Sequence, residues 1–253
     1  MKKRLNILNI WVDSVNKAEA LDMVKSFLEN GKRPHSVFAA NPEKNFSVPI
    51  DSLLYEAYRE SDLLLPDGIG IVAAARILYG AKVTRVPGSE FIYDICNLAA
   101  REGYGVFVYG ASEKVNKASV EKLKNRYPSV QIVGRSNGYV KNEEMPDLIN
   151  RINKSKAEIL FLALGSPKQE KWFAAYKHAL KNVKVCQGIG GTLDTIAGNV
   201  KRAPKIWLSL SLEWLYRLIS EPKRIKRQKV LPIFAAMVLI AKMKSFFKIQ
   251  EKD

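Results

Sequence analysis

A chain of 253 residues that is 47% hydrophobic and 26% charged is long enough to close a sizeable core, as one large α/β domain or a domain with an appendage, and its composition excludes a disordered or fibrous class. The formal charge of +16 predicts attraction to something anionic, whether nucleic acid, an acidic membrane surface or a phosphorylated substrate. The only cysteines, Cys96 and Cys186, lie far apart without metal-type spacing, which argues against a disulfide framework or a zinc site and fits a reducing cytoplasm.

The N-terminal MKKRLNILNIWVD is basic and then apolar, but Asn6, Asn9 and Asp13 interrupt it before a signal-peptide core can form, so residues 5–12 read as a first strand. Short apolar runs follow at 37–40, 63–65, 106–109, 130–133, 159–164 and 183–186, each bounded by Gly, Pro or polar residues. Between them, stretches with helical spacing lie at 17–29, 70–78, 90–101, 112–127 and 142–153. Ser112 and Asn142 are placed as N-caps, Gly31 and Gly103 as stops. Strands alternating with helices predict an α/β, Rossmann-like fold over residues 1–200, a mainly parallel sheet covered on both faces.

From residue 201 the pattern changes, and 201–253 reads as a basic amphipathic helical appendage with thirteen Lys and Arg against four Asp and Glu, +9 of the total. The segment PKIWLSLSLEWLYRLI is followed by KRIKRQK, a twelve-residue apolar block at 230–241 and a basic tail. Twelve residues are too few to cross a bilayer, which needs about twenty. Cations on both sides of a short apolar block suit helices lying in a membrane interface; a helical pair packed on the core is the alternative.

Four polar clusters fall at predicted strand ends, where open α/β sheets gather their ligands. The first, AANPEKNF, holds Asn41 and Glu43. In the second, LLLPDGIG, Asp67 is placed against low-dielectric walls as a general base, or else caps the next helix. The third, GSPKQEKW, sets Ser166, Lys168 and Gln169 around a first helical turn with Pro167, whose backbone N–H groups form a donor cup for an anion or a sugar hydroxyl. The fourth carries Gly190, Gly191 and Thr192 in a Gly-rich turn that opens a short helix suited to phosphate.

GIGGTL lacks the third glycine of a dinucleotide fingerprint, no P-loop occurs, His35 and His178 have no ligand partners in sequence, and there is no Asp-x-Asp pair. Neither a cofactor nor a metal is therefore expected. A departing nucleotide diphosphate would be neutralised by helix ends and by Arg85, Lys168, Arg217, Arg224 and Arg227.

In order along the chain, NPE at 41–43, LPDGIG at 65–70, RVPGSEF at 85–91, GSPKQEKW at 165–172, GIGGTLDTIAGNVKRAP at 188–204 and LEWLYRLISEP at 212–222 together resemble the WecG/TagA/CpsF glycosyltransferases, glycosyltransferase family 26, over nearly the whole chain. The resemblance implies inverting, metal-free transfer of a sugar from a UDP donor to a polyprenyl-diphosphate-linked acceptor, on the inner face of the bacterial cell membrane. It further implies that Asp67 is the catalytic base, that Gln169 and Arg85 shape the sugar and phosphate pocket, and that the appendage docks on the anionic membrane surface while supplying Arg217, Arg224 and Arg227. Many members carry Thr two residues before the Asn of NPE; Ala39 stands there in this chain, which bears on donor specificity.

The LPDGIG form resembles the teichoic acid branch, implying UDP-N-acetylmannosamine as donor and undecaprenyl-diphosphate-linked N-acetylglucosamine as acceptor. Another UDP-hexose or N-acetylmannosaminuronic acid is the alternative donor, and homo-oligomerisation stays open. Outside this class, the basic tail also fits a nucleic-acid-binding α/β protein, although its continuous apolar block favours lipid and no nucleic-acid partner is expected. A silent scaffold for other glycosyltransferases is a third reading, under which Asp67 is dispensable.

Overall fold

The computed structural model describes residues 3–200, 204, 207, 215–216 and 229–250, with side chains as far as 246. Six strands, β3 (His35–Ala40), β4 (Leu63–Pro66), β5 (Gly105–Gly110), β6 (Gln131–Ser136), β7 (Ile159–Ala163) and β8 (Val185–Gly188), form one sheet in the order β4-β3-β8-β7-β5-β6. Every neighbouring pair is parallel. β4, β5, β7 and β8 are buried at every position, as strands covered on both faces must be.

Successive side chains of each strand point to opposite faces and so feed two cores. Phe38, Leu64, Leu160 and Cys186 pack with α3 (Ser52–Arg59), α4 (Ile69–Tyr79), α7 (Met145–Lys154) and α8 (Lys168–Tyr176). Val37, Leu65, Phe161 and Val185 pack with α1 (Lys17–Asn30), α5 (Gly88–Glu102), α6 (Glu113–Arg126) and α9 (Thr192–Ala197). A short α2 (Lys44–Ser47) follows β3. The α/β fold with a parallel sheet between helices is as the sequence predicts. Both cysteines are core residues; burial pushes the Cys96 thiol up to about 12 and that of Cys186 well above its ordinary value.

Ser112 caps α6 by accepting from the Val115 amide at 3.4 Å, and Gly103 ends α5 in the left-handed region at φ +80°. Gly31 ends α1 with extended backbone instead, φ −68°. Asn142 is not a cap: it opens a single 3₁₀ turn, Asn142–Glu144, ahead of α7.

The N-terminal run differs more. It breaks at Leu8, φ +61°, into an antiparallel hairpin of β1 (Arg4–Ile7) and β2 (Ile10–Asp13). No glycine announces this turn; it is held from outside, where Asn45 accepts from the Asn9 amide at 3.0 Å and its carbonyl accepts from Asn9 Nδ2 at 3.2 Å. The hairpin then clamps the sheet edge. Buried Asp13 accepts both Arg4 Nε and Nη2, at 2.7 and 2.8 Å, and also the Leu64 amide of edge strand β4 at 2.8 Å.

A C-terminal helix, Val230–Gln250, runs well past the apolar block read at 230–241. It packs through Phe234 and Val238 into the core beside α4, while Ile240 and Met243 on its other side stay exposed. Among the described residues no helix is long and apolar enough to cross a membrane. Arg217, Arg224 and Arg227 lie outside the described residues.

Asp13→Ala leaves the Leu64 amide and the Arg4 guanidinium without their shared acceptor, and the expected loss is about 2–3 kcal/mol. It reads as a lower urea midpoint at unchanged m-value; an unmoved midpoint would show that the clamp is not needed.

Candidate active site

The strand order creates a crevice. From β3 the chain moves outward to β4, whereas β8 is reached from β7 on the other side, so the segments leaving β3 and β8 diverge. Such a divergence is where open α/β sheets bind ligands. Here the segments that follow β3, β4, β7 and β8 line one cleft of about 1500 Å³.

After β3, Asn41 starts a tight turn, its carbonyl and its Oδ1 both accepting from the Lys44 amide at 3.0 and 3.3 Å. After β4, Asp67 extends the strand pairing by donating its amide to Ala40 O at 2.9 Å. Its half-buried carboxylate does not cap α4. Gly68, at φ +93°, takes that position, and Asp67 Oδ2 accepts from the amide of Gly88, the first residue of α5, at 3.4 Å. That amide stands at the positive end of a fifteen-residue helix. A side chain at Gly88 would crowd this corner, its Cβ lying 3.4 Å from that of Ala39.

After β7, Ser166 lies exposed beside the cleft, but Lys168 points elsewhere: it is exposed and does not line the cleft. Lys44 stands there instead, nearly buried, donating to Ser166 Oγ and lying 3.6 Å from the Glu170 carboxylate. The sequence reading passed over Lys44 and Glu170. Their signal was their place in the Asn41 and Gln169 turns, but which cation faces the cleft depends on how those two turns meet.

Gln169, 5% exposed, braces two strand ends. Its Oε1 accepts from the Gly190 amide at 2.9 Å, its Nε2 donates to Glu170 Oε1 at 3.3 Å, and a Cβ at Gly188 would lie 2.5 Å from that nitrogen. Gly190, at φ +53°, faces open space. The neighbouring Gly191 also lines the cleft, and buried Thr192 closes the turn by donating its hydroxyl to Ile189 O. Arg85 lines the cleft from the segment before α5, 3.7 Å from Glu90.

Under this floor lies Tyr58, fully buried, whose hydroxyl donates to Ala39 O at 2.8 Å. Burial, then the charges of Glu170 and Asp67, push its phenol well above the ordinary value, so it remains a neutral donor. His35 stacks on Phe27 with ring centroids 4.4 Å apart. No group of three or more His, Cys, Asp and Glu side chains able to hold a metal ion occurs among the described residues.

The structure thus brings Asn41, Asp67, Arg85, Ser166, Gln169 and the 190–192 turn together and leaves Lys168 out. The sequence model of the Glycosyl transferase WecG/TagA/CpsF family matches residues 5–247. An N-acetylglucosaminyldiphosphoundecaprenol N-acetyl-beta-D-mannosaminyltransferase of Bacillus subtilis strain 168 is 33% identical over 249 residues, covering 98% of this chain and 96% of its own. The protein of the same name from Bacillus spizizenii strain W23 is 34% identical over 238 residues, 94% of this chain and 90% of its own. The match begins in the hairpin and ends in the C-terminal helix, and it takes in every strand end that builds the cleft: the chain belongs to the WecG/TagA/CpsF family of glycosyltransferases.

Proposed function

We propose that the protein transfers N-acetylmannosamine from UDP-N-acetylmannosamine to undecaprenyl-diphosphate-linked N-acetylglucosamine, with inversion and without a metal, in the synthesis of wall teichoic acid or a related surface glycan. The two Bacillus relatives, named for this transfer, support the substrates. The observation that carries the chemistry is the place of Asp67: a half-buried carboxylate in the same cleft as the Gly165 and Gly190 turns.

In this reading Asp67 takes the proton of the acceptor hydroxyl as its oxygen attacks the anomeric carbon, and the bond from that carbon to the diphosphate breaks on the opposite face, UDP leaving with the electron pair. Asp67 then returns its proton to solvent. Asn41, Ser166 and Arg85 contact the donor, while the bare Gly190–Gly191 turn, with Thr192 behind it, lets backbone come close to the diphosphate. Gln169 acts by holding that turn, which makes it a positioning residue.

The departing charge needs more cations than the described lining supplies. Among described lining residues Lys44, Arg85 and Lys229 stand against Glu43, Asp67, Glu170 and Asp194, and Lys44 is already paired with Glu170. We therefore assign Arg217, Arg224 and Arg227 to the leaving diphosphate, delivered by residues 201–253 as an appendage to a catalytic domain of 1–200. The exposed side of the C-terminal helix and the basic tail hold the enzyme on the inner face of the bacterial cell membrane, each basic residue adding about 1 kcal/mol near an anionic surface. Ala39 lines the cleft beside Gly88 without a hydroxyl, which bears on donor specificity within the same class and keeps another UDP-hexose or N-acetylmannosaminuronic acid as the alternative donor. Membership in a glycosyltransferase family sets the nucleic-acid reading aside.

Asp67→Asn is expected to lower kcat by roughly 10²–10⁴-fold while the UDP-sugar Kd, from calorimetry, stays near that of the wild type. A kcat hardly changed would remove Asp67 as the base and favour the scaffold reading. Gln169→Leu leaves the Gly190 amide unpaired, a cost of about 1–3 kcal/mol, and is expected to raise the donor KM more than it lowers kcat. A panel of UDP-sugars offered with a short-chain lipid-diphosphate acceptor and EDTA is expected to release UDP only from UDP-N-acetylmannosamine. Release from another single donor reassigns the substrate, and inhibition by EDTA contradicts the metal-free step.

A further inference from the structure

The cleft changes chemistry along its length. Polar groups line it at the strand ends, whereas α4 and the C-terminal helix line it mainly with apolar groups. On one side α4 contributes Ile69, Ala73 and Ile77; on the other the C-terminal helix contributes Leu231, Ala235 and Leu239. Each set is spaced i, i+4, i+8 and therefore runs as one stripe along its helix, about 12 Å long. Phe234 and Val238 of the C-terminal helix are buried in one core with Ile71, Ala74 and Ala75 of α4, which joins the two helices, and the middle residue of each stripe is an alanine.

The outer apolar groups of this trough are left to water: Ile69 is 45% exposed, Ile77 37% and Leu239 55%. The junction with the polar end is tight. A Cβ at Gly70 would lie 2.8 Å from Pro42 of the Asn41 turn and 3.7 Å from the Phe234 ring, so the trough begins where the turn that faces the donor ends.

We infer that this trough seats the first stretch of the acceptor's hydrocarbon chain. The inference rests on the proposed lipid-diphosphate acceptor. A sugar and a diphosphate are polar throughout, so nothing in the donor, and nothing in the acceptor except its lipid, matches walls of Ile, Ala and Leu. The chain is joined through its diphosphate to the very sugar whose hydroxyl meets Asp67, so it has to leave the polar end within the length of that head group. The apolar lining shared by α4 and the C-terminal helix belongs to the same cleft as Asp67.

The test uses the full chain in vesicle-free solution with N-acetylglucosaminyl diphosphates carrying progressively longer alkyl chains, all kept below self-association. The acceptor KM is expected to fall with length, by at most roughly fourfold per methylene buried, until the chain outgrows a trough about 12 Å long. Ala73→Phe and Ala235→Phe each fill the trough from one wall and are expected to flatten the series; an unaltered UDP-sugar Kd certifies the fold. A flat series in the wild type, with measurable turnover of the shortest analogue, overturns the assignment, as does a slope that survives in both variants. Should no analogue of any length be glycosylated, the lipid-diphosphate acceptor reading falls and takes this assignment with it.

Discussion

A parallel strand delivers its chain to the same end of the sheet as every other strand, and this constraint decides where the chemistry of the protein stands. β3, β4, β7 and β8 all run one way, so the residues after each of them arrive together although they are spread from Asn41 to Thr192. Convergence alone leaves loops; the Gln169 bond to the Gly190 amide turns two of them into one surface. It works only because Gly188 has no side chain, since a Cβ there would collide with the Gln169 amide and with Phe38. Gly70 plays the same part at the Pro42 contact, where a Cβ would lie 2.8 Å from the proline ring. The site is thus made of turns brought close, which side chains at Gly188 and Gly70 would push apart.

Its charges are arranged with similar economy. Lys44 and Glu170, both nearly out of water, form an ion pair of 3.6 Å across the β3 and β7 turns, and removing either would strand a buried charge, the costly way to disturb such a pair. Asp67 is reached instead by a helix N-terminus, its Oδ2 accepting from the Gly88 amide. Tyr58 lies within reach of both acids and, remaining neutral, separates them without adding charge.

Most of this was legible in the sequence because it depends on local pattern. The uncharged runs at 37–40, 63–65 and 159–164, bounded by polar residues, read as buried strands, and their polar ends marked Asn41, Asp67 and Gln169 directly. What escaped were properties of meeting surfaces. The hairpin at Leu8 is fixed by Asn45, thirty-six residues away; α3, whose Leu54, Ala57 and Tyr58 face the core, gives only two turns of pattern. Lys168 and Lys44 are equally basic neighbours of predicted strand ends, and only the meeting of the Asn41 and Gln169 turns, where Lys44 pairs with Glu170, tells the exposed one from the one at the cleft. Asp67 was ambiguous between cap and base for the same reason: the helix it addresses is α5, not the one it precedes.

One connection joins the two ends of the chain. β4, Asp67 and α4 are consecutive, with Gly68 alone standing between Asp67 and the first residue of α4, so the carboxylate is tied closely to that helix. The C-terminal helix is seated on that same α4 through Phe234 and Val238. Whatever apolar surface takes the far side of this helix, Ile240 and Met243 included, is therefore held at a set distance from Asp67 by two packed helices instead of by a flexible tether. For the lipid-linked acceptor proposed above, such a mount would replace a search in three dimensions with a fixed height above the surface, a physical reason for residues so far apart in sequence to share one core.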